Sequence, residues 1–167
     1  MRRPPRTLMI ASVVVIALAA CAVALTAVLL SVARQPRVDL AAPLLIYPVA
    51  QHVPAACTAD ILGFAGPEPS CYQVVEDGIE VKRVSSVDVQ ALPDGTYGVV
   101  LHLLSGDRGE FEELTAKASG KQLVLVVAGR VVTAPTVDAP IKGGRVMLTG
   151  QFTEPDADRL AFELTGK

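Results

Sequence analysis

Twenty-seven consecutive residues, Thr7 to Ala33, carry no charge and are rich in Ala, Val, Leu and Ile. As a helix rising about 1.5 Å per residue, this run reaches roughly 40 Å, more than the roughly 30 Å hydrocarbon core of a bilayer. Arg2, Arg3 and Arg6 precede it, and Arg34, Pro36 and Arg37 end it. The length favours an uncleaved membrane anchor, because a cleaved signal peptide has an apolar region of only about 7–15 residues. A second reading stays open: Leu18-Ala19-Ala20-Cys21 fits the bacterial lipobox, in which Cys21 would be lipidated. Against it, Ala22 to Ala33 continues apolar, where a lipoprotein turns polar soon after its cysteine. Simple secretion is the third reading. The three arginines before the span favour a cytoplasmic N-terminus and place everything after about residue 34 outside the cytoplasm.

The rest of the chain is built for water. Five basic residues and no acidic ones lie in the first 37 positions, so the remainder holds 10 basic and 17 acidic residues, net -7. An acidic domain of this kind stays soluble and avoids anionic lipid. No Lys/Arg cluster lies beyond the N-terminal region, which argues against nucleic-acid binding. Disorder is excluded as well, since hydrophobic residues make up 51% of the chain.

With Cys21 inside the apolar run, Cys57 and Cys71 form an even pair around a short loop containing Gly63, Gly66, Pro67 and Pro69. In an oxidising compartment a disulfide there would contribute about 3 kcal/mol. The alternative is two separate thiols.

Residues 34–70 hold six of the 12 prolines, a density that prevents a long helix and disfavours internal strands. They are expected to be a tether, with Leu44-Leu45-Ile46-Tyr47 as a short strand or docking segment. The regular pattern begins near residue 71. Tyr97 to Leu104 alternates cleanly, with Tyr97, Val99, Leu101 and Leu103 on one face. A helix follows, with Asp107 as its expected cap, Glu110 three residues on, and Phe111, Leu114, Thr115 and Ala118 on its buried side. Leu123 to Ala128 is a continuous apolar run and reads as a buried strand. Arg145 to Phe152 alternates again. Thr153, with Pro155 and Asp156, opens a last helix whose stripe is Ala157, Leu160, Ala161 and Leu164. This order predicts an α+β fold: a mostly antiparallel sheet with two helices packed on one face, preceded by one N-terminal transmembrane helix.

Catalytic chemistry is sparse. There are 2 histidines and no G-x-S-x-G elbow. His102 sits on the strand face opposite the core residues and reads as a surface histidine. Glu110, Glu112 and Glu113, like Glu154, Asp156 and Asp158, suit helix starts rather than catalytic pairs. Gly143-Gly144-Arg145 lacks the spacing of a phosphate-binding loop. No cofactor, metal or enzymatic activity is expected.

One series of motifs stands out. Phe111-Glu112-Glu113-Leu114-Thr115 precedes the buried strand; Ala128-Gly129-Arg130-Val131-Val132-Thr133-Ala134-Pro135 and Ile141-Lys142-Gly143-Gly144 follow it. Leu148-Thr149-Gly150-Gln151-Phe152-Thr153 and Asp156-Ala157-Asp158-Arg159-Leu160-Ala161 close the series. In order and spacing it resembles the head subdomain of the first periplasmic domain of SecD, an accessory subunit of the bacterial Sec translocon. That family carries F-x-x-L-T, D-G-x-V-x-S-A-P, I-x-G-G and I-T-G-x-F-T, then a helix with A-x-x-L-A. The chain departs from it at Ala128, where the family has Asp, and at Thr133, where it has Ser.

The apolar run and its flanking charges thus divide the chain into a cytoplasmic tail at 1–6 and a bilayer span contacting lipid at 7–33, the prolines mark 34–70 as a tether, and the resemblance implies 71–167 as a head domain on the outer side of a bacterial plasma membrane. It implies an exported polypeptide, another envelope protein or Sec translocon components as partners. The loops that would carry such contacts are Arg130, Thr133, Ala134 and Pro135, with Gly143 and Gly144. Gly and Pro at these places also serve simply as turn formers. A non-enzymatic binding module is the leading functional expectation. An envelope adaptor or lipoprotein that reuses the fold is the alternative.

Overall fold

The computed structural model describes residues 37–58, 62–67, 69–75 and 77–167. The expected span at 7–33, Cys21 and the cytoplasmic tail lie outside these residues. Among the described residues, no helix is long and apolar enough to cross a membrane.

The expected tether is instead the longest strand. β1 runs Val38–Val53 and pairs with three other strands. Its even-numbered residues Leu44 and Ile46 are fully buried on one face, while Leu45, Tyr47 and Val49 pack on the other. Both prolines inside it occupy places where a missing N–H is tolerated. Pro43 lies in the irregular stretch between Asp39 and Leu44, where pairing with the next strand shifts register. Pro48 lies between the last residue of β1 paired with the strand Ile79–Ala91, Ile46, and the first paired with the strand Cys71–Val74, Val49. A proline removes one ladder hydrogen bond, and on this side of β1 the ladder is already interrupted, while on the other side Pro48 stays in register with Leu123. The folded unit therefore starts at Arg37 rather than near residue 71.

The remaining strands are β2 (Gly63–Ala65), β3 (Cys71–Val74), β4 (Ile79–Ala91), β5 (Tyr97–Leu103), β6 (Leu123–Val127), β7 (Arg130–Thr133) and β8 (Arg145–Phe152). All pairings are antiparallel. The main sheet runs β7-β6-β1-β4-β5-β8, and a small β2–β3 hairpin is attached along Val49–Val53 of β1. β7 and β8 are thus the two edges of the main sheet.

Two helices, α1 (Ser105–Lys117) and α2 (Glu154–Thr165), cover one face. Phe111, Leu114 and Ala118 of the first helical region and Ala157, Leu160 and Leu164 of α2 share one core with Leu44, Ile46, Val99, Leu101, Leu103 and Leu148. The α+β arrangement expected from the order of elements is present. β6 is buried along its whole length because both its faces are covered: Leu123, Leu125 and Val127 meet the helices, and Val124 and Val126 join Val74 beneath the sheet.

The helix starts differ from each other. Thr153 caps α2 as its sequence predicts: the Asp156 carboxylate accepts the Thr153 N–H at 3.2 Å and its hydroxyl at 2.6 Å. Asp107, by contrast, is not a cap. α1 begins two residues earlier, with extended Leu104 in the cap position and no side-chain cap. Asp107 falls in the first turn, where its charge still complements the helix dipole.

Candidate functional site

The sheet edge at β7 borders a groove of about 430 Å³. Its formation begins with a tight hairpin. Val127 pairs with Arg130, so only Ala128 and Gly129 link β6 to β7, and both have positive φ, 49° and 75°. Two consecutive left-handed residues make the turn whose twist suits an antiparallel pair. β7 then runs back along β6; among the described residues no strand is hydrogen-bonded to its other side, although β2 and β8 approach it.

Three further elements complete the groove. Val131, Val132, Thr133 and Ala134 supply the strand wall. Asp156, Arg159, Leu160 and Glu163 of α2 face it, and Phe152 closes one end where β8 passes into α2. Pro67 and Tyr72 of the β2–β3 hairpin form a third side. The lining is mainly apolar, and its charges are matched. The Arg130 guanidinium donates to the Glu163 carboxylate, joining β7 to α2. Arg159 lies 3.9 Å from Asp156. The Thr153 hydroxyl and N–H hold the Asp156 carboxyl below its ordinary range. Outside the groove, Glu154 raises the Tyr97 phenol through its charge and an accepted hydrogen bond.

The motif residues separate into two groups. Arg130, Thr133 and Ala134 line the groove. Pro135 does not; it is exposed, and its carbonyl accepts the Leu123 N–H at 2.9 Å. Gly143 and Gly144 also lie outside the lining, beside α1. The Gly144 carbonyl accepts the Leu103 N–H at 2.8 Å, and a Cβ on Gly144 would sit 2.9 Å from Arg108 Cγ. Gly144 thus holds the entry into β8 against the start of α1, while a Cβ on Gly143 would meet nothing within 4 Å. Phe152 and Arg159 belong to the motif series but are not among the residues expected to form a site, and Glu163, Tyr72 and Pro67 lie outside it. They meet only because β3, β7 and the β8–α2 junction converge in space.

Cys57 and Cys71 are joined by a disulfide. It fixes the start of β3 to the chain beyond β1. His52 stacks on Tyr72 with ring centroids 4.4 Å apart and planes 8° from parallel. Among the described residues no group of three His, Cys, Asp or Glu could hold a metal ion. His102 is exposed on the sheet face away from the helices, opposite Arg145 and Ser86 in register.

What the chain presents, then, is a two-helix, antiparallel-sheet domain with an open strand edge in an apolar groove. The family model for the SecDF P1 head subdomain matches residues 68–166, and the chain belongs to that family. The protein translocase subunit SecD of Acidaminococcus fermentans is 40% identical over 79 residues, which is 46% of this chain and 19% of that protein. SecD of Syntrophobacter fumaroxidans is 34% identical over 86 residues, 52% of this chain and 14% of its own length. The chain therefore spans less than a fifth of these relatives. A solved structure of SecDF, described as a membrane component that enhances protein export, superposes with a TM-score of 0.54 over 75% of this chain and 62% of the other. At 21% identity that likeness concerns the fold.

Proposed function

We propose that this chain is a non-enzymatic polypeptide-binding module that serves protein export, held at the outer face of a bacterial plasma membrane by residues 7–33. The observation that carries the reading is the open edge of β7 inside an apolar groove. An extended segment can add to such an edge as a further strand, taking affinity from main-chain hydrogen bonds and from side-chain contact with the groove. Four residues of β7, at about 3.3 Å each, offer roughly 13 Å of edge. That length suits a short extended stretch of an unfolded chain and reads little of its sequence. The paired charges Arg130–Glu163 and Asp156–Arg159 leave the lining without a net charge, which suits ligands of varied composition. Kinship with SecD and SecDF supports export as the setting, with exported polypeptides and Sec translocon subunits as the partners.

The test is photo-crosslinking in living cells from Thr133 and Ala134, with Gly143 as the position outside the groove. Varied secreted precursors or Sec subunits captured at Thr133 and Ala134, and not at Gly143, are expected. A single recurring envelope protein would replace this reading with that of an adaptor. Equal capture at all three positions would remove the groove from the account.

A further inference from the structure

We infer that the β2–β3 hairpin, braced by the Cys57–Cys71 disulfide, is the wall that sets the width of the groove, so that polypeptide affinity depends on this bond. The inference rests on the reading of the groove as a polypeptide site. The hairpin has little core of its own. β2 is three residues long and β3 four; they pair with the last part of β1, and Phe64, Tyr72 and Val74 pack with Val124, Val126 and Val131 beneath the main sheet. Yet two of its residues, Pro67 and Tyr72, line the groove together with residues of β7 and α2.

Three observations show how that wall is held in place. Cys71 begins β3, is 2% exposed, and is bonded to Cys57 beyond the end of β1. Gly63 of β2 lies directly against the bond: a Cβ there would be 3.0 Å from Cys71 Sγ and 3.5 Å from Cys57 Sγ. Tyr72, the next residue, is clamped between its cross-strand neighbour and the hairpin turn. His52 stacks on its ring, and a Cβ on Gly66 would come within 3.0 Å of Tyr72 Cε2. The Gly66 N–H donates to the Ser70 carbonyl at 2.9 Å and closes the turn that carries Pro67. The disulfide thus fixes, through one residue, the aromatic ring that faces β7 and α2. Without it, this fringe is held only by its pairing with β1 and by Phe64, Tyr72 and Val74 against β6 and β7, and it would open locally while the main sheet persists.

The measurement uses the full chain in detergent and, as probe, fluorescent reduced and carboxymethylated α-lactalbumin, a permanently unfolded polypeptide. The double variant Cys57→Ser, Cys71→Ser should bind the probe roughly ten-fold more weakly, the scale of losing an aromatic anchor. Hydrogen exchange should rise in residues 62–74 of that variant and stay unchanged in β6. Unchanged affinity with this loosened hairpin would overturn the inference and leave the groove reading intact. If the double variant does not fold, Tyr72→Ala in the disulfide-bonded chain decides: a similar loss supports the wall, and wild-type affinity overturns it. Failure of the wild-type chain to bind the probe would overturn both the inference and the reading beneath it.

Discussion

The hydroxyl of Thr115, fully buried on α1, accepts the backbone N–H of Ile141 at 3.0 Å while donating to the Phe111 carbonyl at 2.9 Å. One side chain therefore ties the F-x-x-L-T helix to the loop that carries Gly143 and Gly144. Thr115→Val keeps the shape and removes the acceptor, leaving the Ile141 N–H without its partner. A loss of about 1–3 kcal/mol is expected. Thermal melting of the two chains checks it. Probe binding in the groove should be unaffected, because neither residue lines it.

Ala128 holds a positive φ of 49° in the two-residue turn before β7. A left-handed alanine costs about 1–2 kcal/mol, and Asn or Asp relieves part of this through local hydrogen bonding. Ala128→Asn should therefore stabilise the domain by roughly 0.5–1 kcal/mol. Ala128→Val should destabilise it. Denaturant midpoints for the three chains, at unchanged slope, test the ordering.

Gly78 sits under the ring of Tyr47, and a Cβ there would lie 2.1 Å from Tyr47 Cδ1. The ring cannot withdraw freely, since it packs on Phe64 at 5.7 Å in the small cluster beneath the sheet. Gly78→Ala should cost about 1–3 kcal/mol as an overpacking substitution. Gly95→Ala meets no neighbour within 4 Å but has φ of 84°, so any cost there comes from backbone strain alone. The near-ultraviolet tyrosine signal should change in Gly78→Ala and not in Gly95→Ala.

Asp156 and Asp94 both have carboxyls held below the ordinary aspartate range, the first by the Thr153 hydroxyl and N–H, the second by those of Thr96. A depressed folded-state value means that the stability they add is fully present above the unfolded aspartate value of about 3.9. It is lost as pH falls through the lower folded values. Wild-type and Asp156→Asn chains should therefore differ in melting temperature near neutral pH and converge in strong acid. A difference that grows below pH of about 4 would contradict the assignment.

Local devices were legible in the sequence. Thr153 and Asp156 are three residues apart, and nothing distant is needed for them to meet. The alternation of Tyr97–Leu103 and the apolar run Leu123–Val127 gave strands because burial on one or both faces is written into their periodicity. The motif spacing between Phe111 and Ala161 carried the family. β1 was legible only at residues 44–47; its full length was not, because proline density measures lost N–H groups and not whether a neighbouring strand needed them. Pro43 and Pro48 lie where none was needed. The groove was legible only in part. Arg130, Thr133 and Ala134 could be named, but Tyr72, Phe152 and Glu163 join them through sheet order, which local pattern does not encode. The same limit hid the division of the motif residues, with Gly143 and Gly144 outside the groove and Gly144 serving α1 and β8 instead.

The central claim is that the open edge of β7 receives an extended polypeptide. Hydrogen exchange of the full chain, with and without reduced and carboxymethylated α-lactalbumin, addresses that edge directly. The account predicts slower exchange across residues 130–134 on adding the unfolded chain, and no change at the other sheet edge, Arg145–Thr149. Protection confined to Arg145–Thr149, or exchange in β7 that the polypeptide leaves untouched, would contradict it.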